Sequence, residues 1–317
     1  MKIIRASGQV FAHVLVLASV ASAATLKPGD VLVSTSSEGG RIYRIDPATG
    51  HRTTFASVSI QGIQGIDISP AGEVYFVTSA TAFTLDSAGG VHVVADGFIH
   101  ARDIAASADG GLFVADEWDP EHGPNYVRVN SIDVATGTWD SLTTYNGHVA
   151  GIGISPEGDV IVGSTNGEIH RVNAVTGARE RIAVPHPNLN GLDVAPSGNI
   201  YAARDGRAWQ IDPATGAVTT ICDQGDFGLA DIAAGENDSV YCVQTRYGRM
   251  RRWDEPTGTW PLVASGLGYQ NHLAVFAPES APYIIPEPLS IFSGLIGLGM
   301  VAAYLQRRRR PLSQRRG

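Results

Sequence analysis

Gly65-Ile66-Asp67-Ile68-Ser69-Pro70-Ala71-Gly72-Glu73-Val74-Tyr75-Phe76-Val77 and Gly191-Leu192-Asp193-Val194-Ala195-Pro196-Ser197-Gly198-Asn199-Ile200-Tyr201-Ala202-Ala203 decide the fold. Each is a short apolar run, a tight polar turn and a second apolar run. Runs this short, rich in β-branched residues and punctuated by Pro and Gly, read as strands joined by a hairpin. Gly151-Ile152-Gly153-Ile154 and Val160-Ile161-Val162 repeat the arrangement around Ser155-Pro156-Glu157-Gly158-Asp159. Ser107-Ala108-Asp109-Gly110-Gly111 and the degraded Gly235-Glu236-Asn237-Asp238 mark two further copies.

A second turn recurs out of phase with the first. Asp46-Pro47-Ala48-Thr49-Gly50 returns as Asp133–Gly137, Asn173–Gly177, Asp212–Gly216 and Asp254–Gly258, with a looser copy at Asp86–Gly90. Their first residues are 40, 47, 40, 39 and 42 positions apart. The Asp or Asn side chain caps its own turn, and Gly supplies the positive φ at which the chain reverses. Two turns per repeat of about forty residues give four strands per repeat, which is one blade of a β-propeller.

Five complete units begin near Ile66, Asp103, Gly151, Gly191 and Asp231. The remainder forms a sixth. Lys27-Pro28-Gly29-Asp30-Val31 matches the second half of the Pro-Glu-Gly-Asp-Val turn, and Val31–Val33, Arg41–Ile45 and Arg52–Phe55 supply three strands. Leu273-Ala274-Val275-Phe276 supplies the fourth, an inner strand with no partner after it. The expectation is an all-β, six-bladed propeller over 24–278, closed by one C-terminal and three N-terminal strands. The extra length of the unit from Asp103 to Tyr145 is expected in a single loop. The phrases 65–72 and 191–198 resemble the broad six-bladed group of NHL-repeat, gluconolactonase-like and strictosidine-synthase-like propellers. The resemblance runs from about 27 to 278, and it implies a fold that hosts many functions.

The chain ends carry addresses. Lys2 and Arg5, the apolar run Val10–Val20 and the small-x-small site Ala21-Ser22-Ala23 read as a signal peptide over 1–23. A Pro-rich linker over 279–288 ends in Pro286-Glu287-Pro288. An uncharged apolar run, 289–305, follows; it reads as a short transmembrane helix. The basic tail 306–317, with Arg307–Arg310, then stays cytoplasmic, leaving the propeller on the other side. The order Pro-Glu-Pro, apolar helix, arginine block resembles the PEP-CTERM sorting signal. That resemblance implies an exosortase-type transpeptidase as partner, and delivery of an inner-membrane-anchored precursor to the cell surface or extracellular matrix.

Eight of the 23 basic residues lie in the two end segments, leaving 15 against 31 acidic residues over 24–288, a net charge of −16. That field disfavours nucleic acid and other polyanions. Cys222 and Cys242 fall on neighbouring repeats but on differently placed strands. An exported location permits a disulfide; two buried small thiols are the other reading.

Residues just before the inner strands crowd one mouth of the central channel. Gln64, His100, Arg102, His148, Asn190 and Asn271 are the ligand candidates there, with Asp226 and His272 beside them. They suit a small ligand or a divalent cation; polar residues also line a channel merely because it holds water. The gluconolactonase-like resemblance implies a divalent cation, Ca²⁺ being the candidate, with Asn190 and Asn271 as metal donors. This chain lacks the matching Glu, its place falling to neutral Gln64, and Asp231 sits one strand position off. No catalytic residue follows from any motif. Asp116-Glu117-Trp118-Asp119-Pro120-Glu121-His122-Gly123 reads as a solvated acidic loop, in which Trp118 is placed to stack on a sugar face or to pack beneath its own loop. Arg246, Arg249, Arg251 and Arg252 read as a solvated basic hairpin paired with nearby acids. The functional expectation is a surface or matrix binding propeller for polysaccharide or protein; the alternative is a metal-dependent hydrolase or lactonase at the channel mouth.

Overall fold

The computed structural model describes residues 25–278 except 36–38, 119–124, 224–227, 245–246 and 269–270. The signal peptide, the Pro-Glu-Pro segment, the apolar run and the basic tail lie outside the described residues.

Strands follow the chain as β1 (Val31–Thr35), β2 (Arg41–Ile45) and β3 (Arg52–Ser57), then β4 (Gly65–Ile68), β5 (Val74–Val77), β6 (Thr81–Leu85) and β7 (Val91–Asp96). Next come β8 (Ala101–Ala106), β9 (Leu112–Trp118), β10 (Tyr126–Asp133) and β11 (Thr138–Asn146), then β12 (Val149–Ile154), β13 (Val160–Ser164), β14 (Ile169–Val172) and β15 (Arg179–Ala183). β16 (Gly191–Val194), β17 (Ile200–Arg204), β18 (Arg207–Ile211) and β19 (Val218–Asp223) precede β20 (Leu229–Ala234), β21 (Val240–Gln244), β22 (Arg249–Arg252), β23 (Leu262–Ser265) and β24 (Asn271–Val275). They form six antiparallel four-stranded sheets. Blades one to five are β4–β7, β8–β11, β12–β15, β16–β19 and β20–β23. Blade six has the order β24-β1-β2-β3, joining the two ends of the domain.

That closure is continuous. β24 pairs with β1 from Val31 opposite Val275 to Thr35 opposite Asn271. The Lys27–Val31 segment makes the same turn as the internal copies: Asp30 N–H donates to Lys27 C=O at 2.9 Å, and Phe276 N–H donates to Asp30 C=O at 2.9 Å. Asp30 is then tied to Arg44 at 2.8 Å. The ring therefore leaves no inner edge strand to recruit another chain.

The second turn family does two jobs. In its first copy Asp46 Oδ1 accepts from Ala48 N–H at 2.9 Å and Thr49 N–H at 3.3 Å. Asp133, Asn173 and Asp212 repeat this capping. The glycine that ends the turn also abuts the preceding blade. At Gly177, φ is +68° and a Cβ would fall 2.1 Å from the carbonyl oxygen of Leu142 in blade two. Only a residue without a side chain satisfies both the turn and the approach.

Apolar side chains fill the space between blades rather than a single central core. One cluster joins Leu32, Ile42, Ile66, Phe76 and Phe276 between blades six and one. Another joins Phe113, Val129, Val149 and Val162 between blades two and three. The excess length of blade two lies partly in its strands, contrary to the single-loop expectation: β10 has 8 residues and β11 has 9. Trp139, on β11, packs on Phe98 with ring centroids 5.4 Å apart and donates Nε1–H to Asp96 C=O at 2.9 Å.

Candidate functional site: the channel and its mouth

Inner strands β4, β8, β12, β16, β20 and β24 all start at one end of the channel, so the residues before them gather at one mouth. Gln64 precedes β4 and is half-buried; its N–H closes a bond to Val77 C=O at 2.8 Å. Asn190 precedes β16 and donates Nδ2–H to Leu229 C=O of the next blade at 3.4 Å. Asn271 opens β24, and its side chain, like Asp226, lies outside the described residues. His272 Nδ1 stands 3.5 Å from Asp231 Oδ2.

Three of the expected residues are organised by two carboxylates that the sequence reading placed in a solvated loop. That placement is corrected here. Asp116, Glu117 and Trp118 are the end of β9, and Asp116 and Glu117 are 0% and 6% exposed. Strand pairing with β10 holds them against the sheet, and their neighbours satisfy them. Asp116 accepts from His100 N–H at 2.7 Å and pairs with Arg128. Glu117 Oε2 accepts from Arg102 Nη2 at 2.9 Å; its Oε1 accepts from Val149 N–H at 3.0 Å and lies 3.5 Å from His148 Nδ1. The other nitrogen of His148, Nε2, meets Asn125 Nδ2 at 3.0 Å. Arg102 and His148 keep roughly half of their side-chain surface open. A buried carboxylate with a cation and an imidazole on it fixes both in place.

Trp118, 37% exposed, meets Tyr126 with ring centroids 5.7 Å apart. In the arginine-rich hairpin Arg249 and Arg252 are exposed, as expected of a solvated hairpin. Arg251 is held by Gln244 Oε1 at 3.1 Å and Trp260 C=O at 2.6 Å, while Arg249 and Arg252 lie over Tyr247 and Tyr241. These contacts are to uncharged oxygens and ring faces. Arg246 lies outside the described residues.

Deeper in the channel stand four carboxylates, Asp67, Asp103, Asp193 and Asp231, of which the sequence reading weighed only Asp231 as a ligand. Each bridges two blades. Oδ1 accepts the N–H of the following residue in its own strand, at 2.7–2.9 Å. Oδ2 accepts from the next blade: Ala106 N–H for Asp67 and Ala234 N–H for Asp193, both at 2.8 Å. Ile152 N–H serves Asp103 at 3.0 Å, and Leu273 N–H serves Asp231 at 3.1 Å. Enclosure by protein raises the pKa of Asp67 to about 7, against the pull of its two N–H donors. Enclosure comes first for Asp103 and Asp193 too, followed by repulsion from Asp231 and Asp67 respectively, and both stay well above the ordinary carboxyl range. The clue in the sequence was the repeated Ile/Leu-Asp-Ile/Val phrase, an acid set between residues that pack a blade.

Among the described residues no three His, Cys, Asp or Glu side chains converge to hold a metal ion. Cys222, on β19, and Cys242, on β21, are thiols buried in one apolar cluster between blades four and five, and Cys222 Sγ–H donates to Gly206 C=O at 3.2 Å.

No family model matches the chain, and no curated protein matches it. Solved structures do. TolB from Acinetobacter baumannii aligns with a TM-score of 0.63 at 16% identity, over 78% of this chain and 67% of that one. A Bacteroides thetaiotaomicron protein of unknown function aligns at 0.56 and 14% identity, over 80% and 78%. Virginiamycin B lyase from Staphylococcus aureus aligns at 0.50 and 14%, over 74% and 83%. These likenesses show the propeller fold. At such identities a shared architecture carries no shared reaction, because function resides in the site grafted onto it.

Proposed function

We propose that this protein is an exported binding propeller that presents its channel mouth to polysaccharide or protein at the cell surface or in the extracellular matrix. The observation that carries the reading is the Arg102–Glu117–His148–Asn125 network. It is a set of hydrogen-bonding groups at the mouth, tied to the framework by a buried carboxylate, which suits recognition. The terminal segments support the location: a signal-peptide pattern at 1–23, and Pro286-Glu287-Pro288 before the apolar run and arginine block. In this reading the C-terminal run is a membrane helix that holds the precursor until an exosortase-type transpeptidase acts. The test is a pair of variants. Arg102→Ala with His148→Ala is expected to abolish retention of the full chain on matrix polysaccharide or surface protein without altering its export. Replacing Pro286-Glu287-Pro288 by Ala-Ala-Ala is expected to leave the protein in the membrane fraction. Unchanged retention in the first pair removes the mouth from the function.

One observation favours a second reading. A buried Glu117 beside His148 Nδ1 is the arrangement that orients an imidazole as general base. With Asn190 and Asn271 as donors to a divalent cation such as Ca²⁺, the mouth would act as a hydrolase or lactonase. Lactone hydrolysis that is lost on chelation and in His148→Ala supports it; absence of turnover with cation present removes it.

A further inference from the structure

The four channel carboxylates follow a rule. Counting back from the first hairpin turn, inner strands read Gly65-x-Asp67, Asp103-x-Ala105, Gly151-x-Gly153, Gly191-x-Asp193, Asp231-x-Ala233 and His272-x-Ala274. Blade four repeats blade one, and blade five repeats blade two. The carboxylates thus form two pairs on opposite blades: Asp103 with Asp231 nearer the mouth, and Asp67 with Asp193 one step deeper along the strands. Every one reaches across to the N–H one position further along in the next blade. Glycine makes room where an upper acid stands next door. A Cβ at Gly65 would fall 2.3 Å from Asp103 Oδ1, and one at Gly191 would fall 2.7 Å from Asp231 Oδ1.

Among the described residues, no Lys or Arg side chain forms an ion pair with this belt. Among the described residues, the channel around the four acids is otherwise lined by aliphatic side chains, including Ile66, Ile104, Ile152 and Leu192. His272 stands beside it, with Nδ1 3.5 Å from Asp231 Oδ2. Four carboxylates gathered in one narrow channel repel one another across the ring centre, and the hydrogen bonds that order them cannot neutralise them.

We propose that the belt is a proton-linked lock: the ring takes up protons at Asp67, Asp103 and Asp193 as it closes, so the propeller holds together more tightly in mild acid than in alkali. Two protonation levels of one inner layer would then set how firmly the six blades are drawn to the axis. The direction follows from linkage. A carboxyl whose pKa is raised by folding keeps a proton that the unfolded chain has already released. Its contribution is full at low pH and is lost as pH rises from the free-carboxyl value near 4 through about 7 at Asp67.

The test is a thermal melt of the full chain in chelator between pH 5 and pH 8, beside Asp67→Asn/Asp193→Asn. Buried His170 contributes with the opposite sign and is common to both proteins, so the difference in slope isolates the belt. The expected result is a Tm difference between the two proteins that moves by about 5 °C over this range, the wild type gaining in acid. Equal slopes overturn the proposal. Should the variant not fold, proton counting on the wild type decides: denaturant unfolding at pH 6 in weakly buffered dye is expected to release more protons than His170 takes up, and net uptake overturns the proposal. A wild-type Tm at pH 8 that millimolar Ca²⁺ restores to its pH 5 value also overturns it, in favour of a bound cation.

Discussion

The Glu117 carboxylate and the His148 imidazole meet 3.5 Å apart across the boundary between blades two and three. The contact is tertiary, 31 residues apart in sequence, and the same carboxylate also carries Arg102. One buried acid therefore sets the positions of the two most prominent polar edges at the mouth.

Glu117→Ala leaves the buried Val149 N–H without its acceptor and releases Arg102 and His148, whose half-open side chains turn to water. Leaving one buried donor unsatisfied costs about 1–3 kcal/mol, and the solvent-screened pairs add little. Denaturant melts should show that loss as a lower midpoint, with Glu117→Gln falling in between because it keeps one acceptor oxygen.

Gly177→Ala tests whether the turn glycine serves the neighbouring blade. A left-handed φ costs an alanine about 1–2 kcal/mol by itself. The clash with Leu142 C=O adds to it. Gly29→Ala, which also has positive φ but open space around its Cβ position, separates the two effects. Thermal melts of both should place Gly177→Ala clearly lower; equal shifts would mean the blades do not depend on the approach.

His170 is buried against Tyr145, with ring centroids 4.8 Å apart, and burial lowers its pKa. An imidazole kept neutral by the fold binds fewer protons than the unfolded chain below the free value of about 6.5. Its contribution is present at higher pH and is lost as pH falls. An NMR titration should place the His170 midpoint below that free value. A midpoint at or above it contradicts the packing described here.

The thiols of Cys222 and Cys242 are shielded, and burial pushes the Cys242 pKa up, which suppresses the reactive thiolate. A thiol reagent should label neither in the native protein at neutral pH and both in denaturant. Failure to label in denaturant without reductant would show a disulfide instead.

Deleting β24 tests the closure. A chain ending before Asn271 loses the partner of β1 and leaves five buried residues, Val31–Thr35, on an open edge. Cooperative unfolding should disappear, as followed by circular dichroism, and aggregation should rise.

Fold and site were legible to different degrees. The sequence alone determined the repeat, the six blades and the closure by Leu273–Phe276, because hairpin turns and short apolar strands are local features with local causes. It also placed Gln64, His100, Arg102, His148 and Asn190 before or near the inner strands, since position along a repeat maps directly onto position around the channel. It misplaced Asp116 and Glu117, because a run of acids beside Trp118 has the composition of a loop, and only pairing with β10 and contact with Arg102 and Arg128 make it a strand end. It passed over Asp67, Asp103 and Asp193, and weighed Asp231 only as a misplaced metal donor, for a related reason. Each looks like an ordinary acid within a strand until ring closure brings opposite blades together, and charge repulsion across a narrow channel exists only after that assembly.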